Sequence, residues 1–183
     1  MNSALETLLK TDEQLSARLR VSSKNLLHHA AVFFAHSGDS WFWMAGLILV
    51  WLFAPAHWHN RSALLAVSVV IQAIAVLSVK FLIRRRRPEG DWGGIYRRTD
   101  PHSFPSGHAT RAMLLATMAI GLGPAWFGLL LAIWAPLVCL ARVMLGVHYL
   151  SDIVVGMLLG VLLGWVMLEL SPLVMHLLPF LFA

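Results

Sequence analysis

The chain has 183 residues, 58% of them hydrophobic and 13% charged, with a formal net charge of +5 and a mean hydropathy of +0.72. That balance is too apolar for an ordinary soluble domain of this size and predicts one membrane-embedded domain with no nucleic-acid partner. Cys139 stands alone inside an apolar run, so an intrachain disulfide is excluded and packing is its expected role.

From residue 4 to 36, Leu5, Leu8, Leu9, Leu15, Leu19 and Leu26 are set among Lys10, Arg18, Arg20 and Lys24. This pattern predicts an amphipathic helical segment lying on the membrane, broken near Ser37-Gly38-Asp39, with a solvated terminal helix as the alternative. Residues 28–35 (HHAAVFFA) are too apolar for open water and too short to span. Met1 to Gln14 lacks the apolar core of a signal peptide.

Five spans are predicted next, at about 40–56, 62–83, 108–123, 125–143 and 149–170, with only a tight turn at Pro124 between the third and fourth. A sixth would require residues 26–36 to cross. The tail from Pro172 reaches about halfway through a bilayer as helix. Trp41, Trp43, Trp58 and Trp126 fall near span ends, as an interfacial belt requires, whereas Trp51, Trp134 and Trp165 read as packing residues. The expected fold is an all-α polytopic transmembrane bundle, with an interfacial segment at 1–36 and a membrane core at 40–170.

Three polar islands interrupt this background: Lys80 to Pro88 (KFLIRRRRP), Pro105 to His108 (PSGH) and Ala141 to Asp152 (ARVMLGVHYLSD). With five spans, parity brings all three to one membrane face. If a helix starts near His148, Asp152 lies one turn later and can orient the imidazole, making it a nucleophile or base. Such a pair is more often a structural hydrogen bond, but ionisable groups near hydrocarbon are costly and usually functional. Ser106, Gly107 and His108 enter a span where helix N-terminal amides suit an anion, although these four residues alone also fit a plain turn capped by Ser106. Arg84 to Arg87 read as a basic flank facing head groups, yet one guanidinium can fork two phosphate oxygens, with Lys80 and Arg142 adding charge. Cations, helix amides and two histidines meet the needs of phosphoryl transfer, where positioning and charge neutralisation dominate. No carboxylate cluster, HExxH or CxxC is present, so neither metal nor cofactor is expected.

The three islands resemble the type 2 phosphatidic acid phosphatase (PAP2) family, whose motifs are a lysine followed by Arg-Pro, then PSGH, then Ser-Arg with a downstream histidine and aspartate. Lys80 with Arg87-Pro88, Pro105-Ser106-Gly107-His108, and Arg142 with His148 and Asp152 match in order and internal spacing. The resemblance implies that His148 is the nucleophile forming a phosphohistidine, oriented by Asp152, and that His108 protonates the leaving oxygen and then activates water. It implies phosphate binding by Lys80, Arg87, Ser106, Gly107 and Arg142, and no metal. Ala141 stands where the family has serine, removing one hydroxyl contact.

The implied activity is metal-independent hydrolysis of a lipid phosphomonoester or pyrophosphate: phosphatidic acid, phosphatidylglycerol phosphate, a prenyl phosphate or pyrophosphate, or a phosphorylated glycolipid. A lipid phosphotransferase and a non-catalytic lipid-binding or transport protein are the alternatives. Arg84, Arg85 and Arg86 are expected at head groups or solvent, and Arg97, Arg98, His102 and Arg111 beside the site, either reading the head group or serving structure. Gly156, Gly160 and Gly164 predict a close helix contact, internal first and a homodimer seam second. The expected location is a multi-pass position in a bacterial cell membrane. The bias of basic residues points the catalytic side to the cytoplasm, while bacterial relatives commonly face outward.

Overall fold

Eight α-helices carry the described part of the chain, which in this computed structural model comprises residues 3–23, 25–89 and 100–182. They are α1 (Ser3–Arg18), α2 (Leu26–Ser37), α3 (Ser40–Phe53), α4 (Ala56–Ile83), α5 (Gly107–Leu122), α6 (Ala125–Met144), α7 (Leu150–Glu169) and α8 (Ser171–Leu177), followed by one 3₁₀ turn at Pro179–Leu181. The side chain of Leu5, and Lys24, Arg97 and Arg98, lie outside the described residues.

Local chemistry sets the helix ends. The Asn25 side chain accepts from Leu27 N to open α2, and Gly38 N closes it on the carbonyls of Ala35 and His36. α4 ends at Arg84, a non-glycine residue in the left-handed region at φ 52°, a conformation that costs about 1–2 kcal/mol and abruptly redirects the chain. That redirection carries Arg85 and Arg87 inward.

α5 is the central helix, packed against α4, α6 and α7. Its Ala109, Ala112, Leu114, Leu115 and Met118 have no exposed surface. Helices in lipid associate through close packing, and α7 meets α5 along its glycines. A Cβ on Gly156 would lie 2.9 Å from Ser106 O, one on Gly164 would lie 2.8 Å from Thr117 Cβ, and one on Gly160 would collide with Thr110 O. The glycine face is therefore filled from within by α5, which leaves no surface there for the alternative homodimer seam. α3 packs on α4 and α2 on α6, the latter through Ala31 and Ala35 against Ala141, Leu145 and Val147.

Outside, the bundle presents large apolar side chains such as Ile74, Leu82, Ile120, Leu129, Ile133 and Leu158, the surface of a protein whose solvent is lipid. α4, α6 and α7, of 28, 20 and 20 residues, are long and apolar enough to cross a membrane, and α3 is a shorter apolar helix. α5 has 16 residues and is sheltered by its neighbours.

The four predicted spans other than the second match α3, α5, α6 and α7 within three residues at each end. α4 begins at Ala56 rather than 62, because polar residues in its first turns bond to carbonyls near the ends of other helices instead of breaking the helix. His59 Nδ1 lies 2.7 Å from Trp51 O, and Arg61 Nε donates to Leu122 O at 3.0 Å. Trp43 packs on Trp134 rather than serving the belt, whereas Trp165 is exposed rather than packed. The N-terminal segment is two helices. α1 turns Leu8, Leu9 and Leu15 outward, while its Ser16 Oγ accepts from Leu150 N at 2.8 Å and its Asp12 Oδ1 accepts from Ser151 N at 3.0 Å, docking it on the start of α7.

Candidate active site

The three islands meet at one cavity of about 320 Å³, walled by Lys80, Arg87, Gly107, His108, Arg142 and His148 together with Asp39, Gln72, Asp100 and Arg111. Its apolar side is Trp41, Ala73, Val76 and Leu77.

His148 is delivered by the α6–α7 turn. Gly146 adopts φ 67° there, a conformation open to glycine, and Val147 N returns to Arg142 O at 3.2 Å. The imidazole is buried, with Nδ1 at 3.4 Å from Asp152 Oδ2 and Nε2 at 3.1 Å from Arg87 Nη1. Assigning the Nδ1 proton to the carboxylate leaves the Nε2 lone pair facing the cations. Burial, then the charges of Arg87, Arg142 and Lys80, hold the His148 pKa well below its ordinary value. That direction favours the uncharged ring, the form in which an imidazole can act as a nucleophile.

Asp152, fully buried, also accepts from Tyr149 N at 3.0 Å and from Arg85 Nη1 at 2.7 Å. Arg85 thus departs from its expected place at head groups. Its Nη2 reaches Asp12 Oδ2 at 2.7 Å, and its guanidinium stacks 4.1 Å over the Tyr149 ring. The physical reason is the turn at Arg84, which folds the basic run back over α7.

Arg87 donates to Asp100 O (2.7 Å), Asp100 Oδ2 (2.8 Å) and Val147 O (2.9 Å), while Lys80 Nζ donates to Asp100 Oδ2 (2.5 Å) and His102 O (2.8 Å). One carboxylate oxygen therefore draws two cations to a point beside His148. Arg142 has no exposed surface and adds a third charge to the wall. The predicted phosphate cradle divides: Gly107 lines the cavity, whereas Ser106 is buried behind it, with its hydroxyl accepting from Ala109 N at 3.4 Å and its N–H donating to Asp152 O at 3.1 Å. Ser106 thereby ties the start of α5 to α7.

His108 Nε2 lies 2.8 Å from Asp39 Oδ1, and Asp39 Oδ2 lies 3.0 Å from His36 Nδ1. Burial raises the Asp39 pKa, but hydrogen bonds and attraction from His108 and His36 outweigh it and hold the carboxyl below the usual range. Arg111, one candidate reader of the head group, instead donates from Nε to Gly38 O at 2.9 Å and fixes the Asp39 turn. His102 contributes its carbonyl to Lys80 and sets its ring edge-on to Phe81. Ala141 packs toward α2 with Ala31 and Ala35.

Sequence spacing missed Asp39, Asp100, Asp12 and Gln72. Gln72 is buried on the cavity wall, and its Oε1 has no hydrogen-bond partner among the described residues. For Gln72 the available signal was an amide inside an apolar span; the aspartates lie outside any motif.

The family profile of the PAP2 superfamily matches residues 61–175, which contain all three islands. The chain belongs to the PAP2 superfamily. Over 99 residues this PAP2 chain is 42% identical to a decaprenylphosphoryl-5-phosphoribose phosphatase of Mycobacterium tuberculosis, covering 52% of each protein. It is 30% identical over 141 residues to an undecaprenyl-diphosphatase of Sulfolobus acidocaldarius, covering 73% of this chain and 66% of that one. The chain thus spans about half the length of the first relative and about two thirds of the second. The fold is similar to Aquifex aeolicus LpxE, with a TM-score of 0.68 at 24% identity over 85% of this chain and 93% of that one. It is also similar to a transmembrane PAP2 type phosphatidylglycerolphosphate phosphatase from Bacillus subtilis, with a TM-score of 0.73 at 22% identity over 93% and 88%. With apolar helices of spanning length and this fold, the PAP2 chain is an integral membrane protein.

Proposed function

We propose that the chain is a membrane lipid phosphatase that hydrolyses a phosphomonoester or pyrophosphate through a phosphohistidine on His148. The observation that carries this reading is the buried, neutral His148, held by Asp152 and facing Arg87 in the same cavity as Lys80, Arg142 and His108.

Nε2 of His148 attacks phosphorus, and the bond from phosphorus to the lipid oxygen breaks while His108 supplies the proton to that oxygen. Asp152 accepts from Nδ1–H and stabilises the positive charge that the ring acquires. Arg87, Lys80 and Arg142 neutralise the phosphoryl oxygens. His108, now neutral, takes a proton from water, the resulting hydroxide equivalent attacks the phosphohistidine, and the N–P bond returns its electrons to His148. Orthophosphate leaves. The lipid tail enters along Trp41, Ala73, Val76 and Leu77, the apolar side of the same cavity.

The relatives named for a prenyl-linked phosphoribose and a prenyl diphosphate support prenyl-linked phosphates as the first substrates to try, followed by phosphatidic acid and phosphatidylglycerol phosphate. A homodimer through the glycine face is no part of this reading, since α5 fills it.

Phosphate release by purified protein from a panel of these lipids tests the proposal, with a lipid acceptor added in one arm to reveal phosphotransfer. Release is expected to persist in excess chelator and to fall by at least about a thousandfold in His148→Ala, the scale of losing a nucleophile. Turnover by that variant comparable to the parent would refute the mechanism.

A further inference from the structure

We propose that Asp39 is a positioning residue for acid catalysis: it orients the His108 imidazole, favours its protonated form and connects it to solvent through His36. The inference rests on the lipid phosphatase reading and adds to it a carboxylate that none of the three islands contains.

The geometry is a continuous relay. Asp39 Oδ1 meets His108 Nε2 at 2.8 Å, and Oδ2 meets His36 Nδ1 at 3.0 Å. The Asp39 and His108 side chains are each 15% exposed, whereas His36 is 53% exposed. The turn that carries Asp39 is held from three sides. Arg111 of α5 donates to Gly38 O at 2.9 Å, Trp43 Nε1 donates to Ser37 O at 2.9 Å and Trp134 Nε1 donates to Ser37 Oγ at 2.9 Å. Gly38 itself is required by close approach, since a Cβ there would lie 2.8 Å from Val138 Cγ1 and 3.3 Å from His108 Cδ2.

The charge balance gives this carboxylate its task. Arg111 and Arg142 act electrostatically on His108, and its cavity also holds Lys80 and Arg87, both paired with the Asp100 carboxylate, beside the uncharged His148 ring. Each cation opposes an imidazolium at this site. Among the described residues Asp39 is the carboxylate hydrogen-bonded to the ring, with His36 on its far side, so it is the group that counters those cations when the ring carries the proton the leaving oxygen needs. With Nε2 committed to Asp39, proton exchange with substrate falls to the other ring nitrogen. A carboxylate fixing tautomer and stabilising the cation is the same division of labour by which a buried aspartate serves a catalytic histidine elsewhere. In the second half-reaction the proton taken from water replaces the one given to the lipid oxygen, and any imbalance with solvent is exchanged through Asp39 and His36.

An acid is needed in proportion to how poor the leaving group is. The test compares dioctanoyl phosphatidic acid, which expels an alkoxide, with p-nitrophenyl phosphate, which expels a stabilised phenolate, using kcat/KM to report phosphohistidine formation. Asp39→Asn should lose about a hundredfold on the alkyl probe, within the usual range for acid catalysis, and less than about tenfold on the aryl probe. The alkaline limb on the alkyl probe should move to lower pH, because removing an adjacent negative charge makes His108 lose its proton sooner. Asp39→Glu should recover much of the loss. In a His108→Asn background, Asp39→Asn should cost almost nothing further on the alkyl probe.

Equal losses on both probes with an unmoved alkaline limb, or additive losses in the double variant, would overturn the positioning role while leaving the phosphatase reading intact. If the parent releases phosphate from neither probe nor from any lipid phosphate, both readings fall. Should Asp39→Asn fold poorly, His36→Gln provides the second comparison: a smaller loss, again confined to the alkyl probe, supports the relay, and an equal effect on both probes overturns it.

Discussion

His148 is buried among cations that disfavour its protonation, and its pKa lies well below the ordinary 6.5. A nucleophilic imidazole works in its neutral form, so activity that depends on it is retained above its pKa and lost only as pH falls through that lowered value. The acid limb of kcat/KM is therefore expected well below pH 6.5, and a limb near 6.5 or above in a pH–rate profile would contradict the charge arrangement. Ala141 makes a second residue-scale case. Because it packs toward α2 rather than lining the cavity, Ala141→Ser should leave the KM for a lipid phosphate within about twofold, less than the gain of one ordinary hydrogen bond. A clear fall in KM would place the new hydroxyl on the substrate. Much of the cavity wall was legible at this scale, since the three islands supply Lys80, Arg87, Gly107, His108, Arg142 and His148 to it. Asp39 and Asp100 were not. Their roles arise only when distant segments meet, and an aspartate in a turn carries no spacing signal of its own.

Elements were legible wherever lipid exposure or burial demanded an apolar run, which is why α3, α5, α6 and α7 fall close to their predicted bounds. The start of α4 was hidden by His57, His59, Asn60 and Arg61, residues that read as loop until His59 and Arg61 find carbonyls on other segments. Arg85 was hidden by its neighbours in a basic run, and only the left-handed turn at Arg84 distinguishes it. The α5–α7 contact yields the sharpest prediction. Gly160 faces the backbone at Thr110 O, with Met113 Cβ beside it, so Gly160→Leu cannot be absorbed by a rotamer change alone. It should destabilise the protein by about 1–3 kcal/mol or more, the scale of overpacking, and lower kcat, because Asp152 rides on the first turn of α7 and His148 on the turn that leads into it. Detergent melting and turnover indistinguishable from the parent would show that the two helices do not support the site.

At the scale of the molecule, parity of the spans correctly gathered the islands at one end, and the N-terminal helices proved to be part of that end. α1 reaches the carboxylate beside His148 through Asp12, Arg85 and Asp152, a chain of ion pairs between segments more than sixty residues apart in sequence. α2 ends at the turn that contacts His108. The pattern of residues 4–36 gave their amphipathic character but not this docking, because a polar residue bound to a buried partner and one bound to water look the same in sequence.

The convergence of Lys80, Arg87 and Arg142 has a consequence for the end of the catalytic cycle. A cavity that gathers cations for a phosphoryl group also retains free orthophosphate, and ligand held by the folded form alone stabilises it by about 2.7 kcal/mol at one hundred times its dissociation constant. Millimolar phosphate or vanadate should raise the melting temperature and inhibit competitively, and the effect should shrink in Arg142→Ala. A melting temperature unchanged by either anion would mean that the cations are neutralised from within. If the product binds as expected, the enzyme slows as phosphate accumulates on the side where the cavity opens, so its throughput is set by the phosphate concentration of that compartment as well as by the supply of lipid.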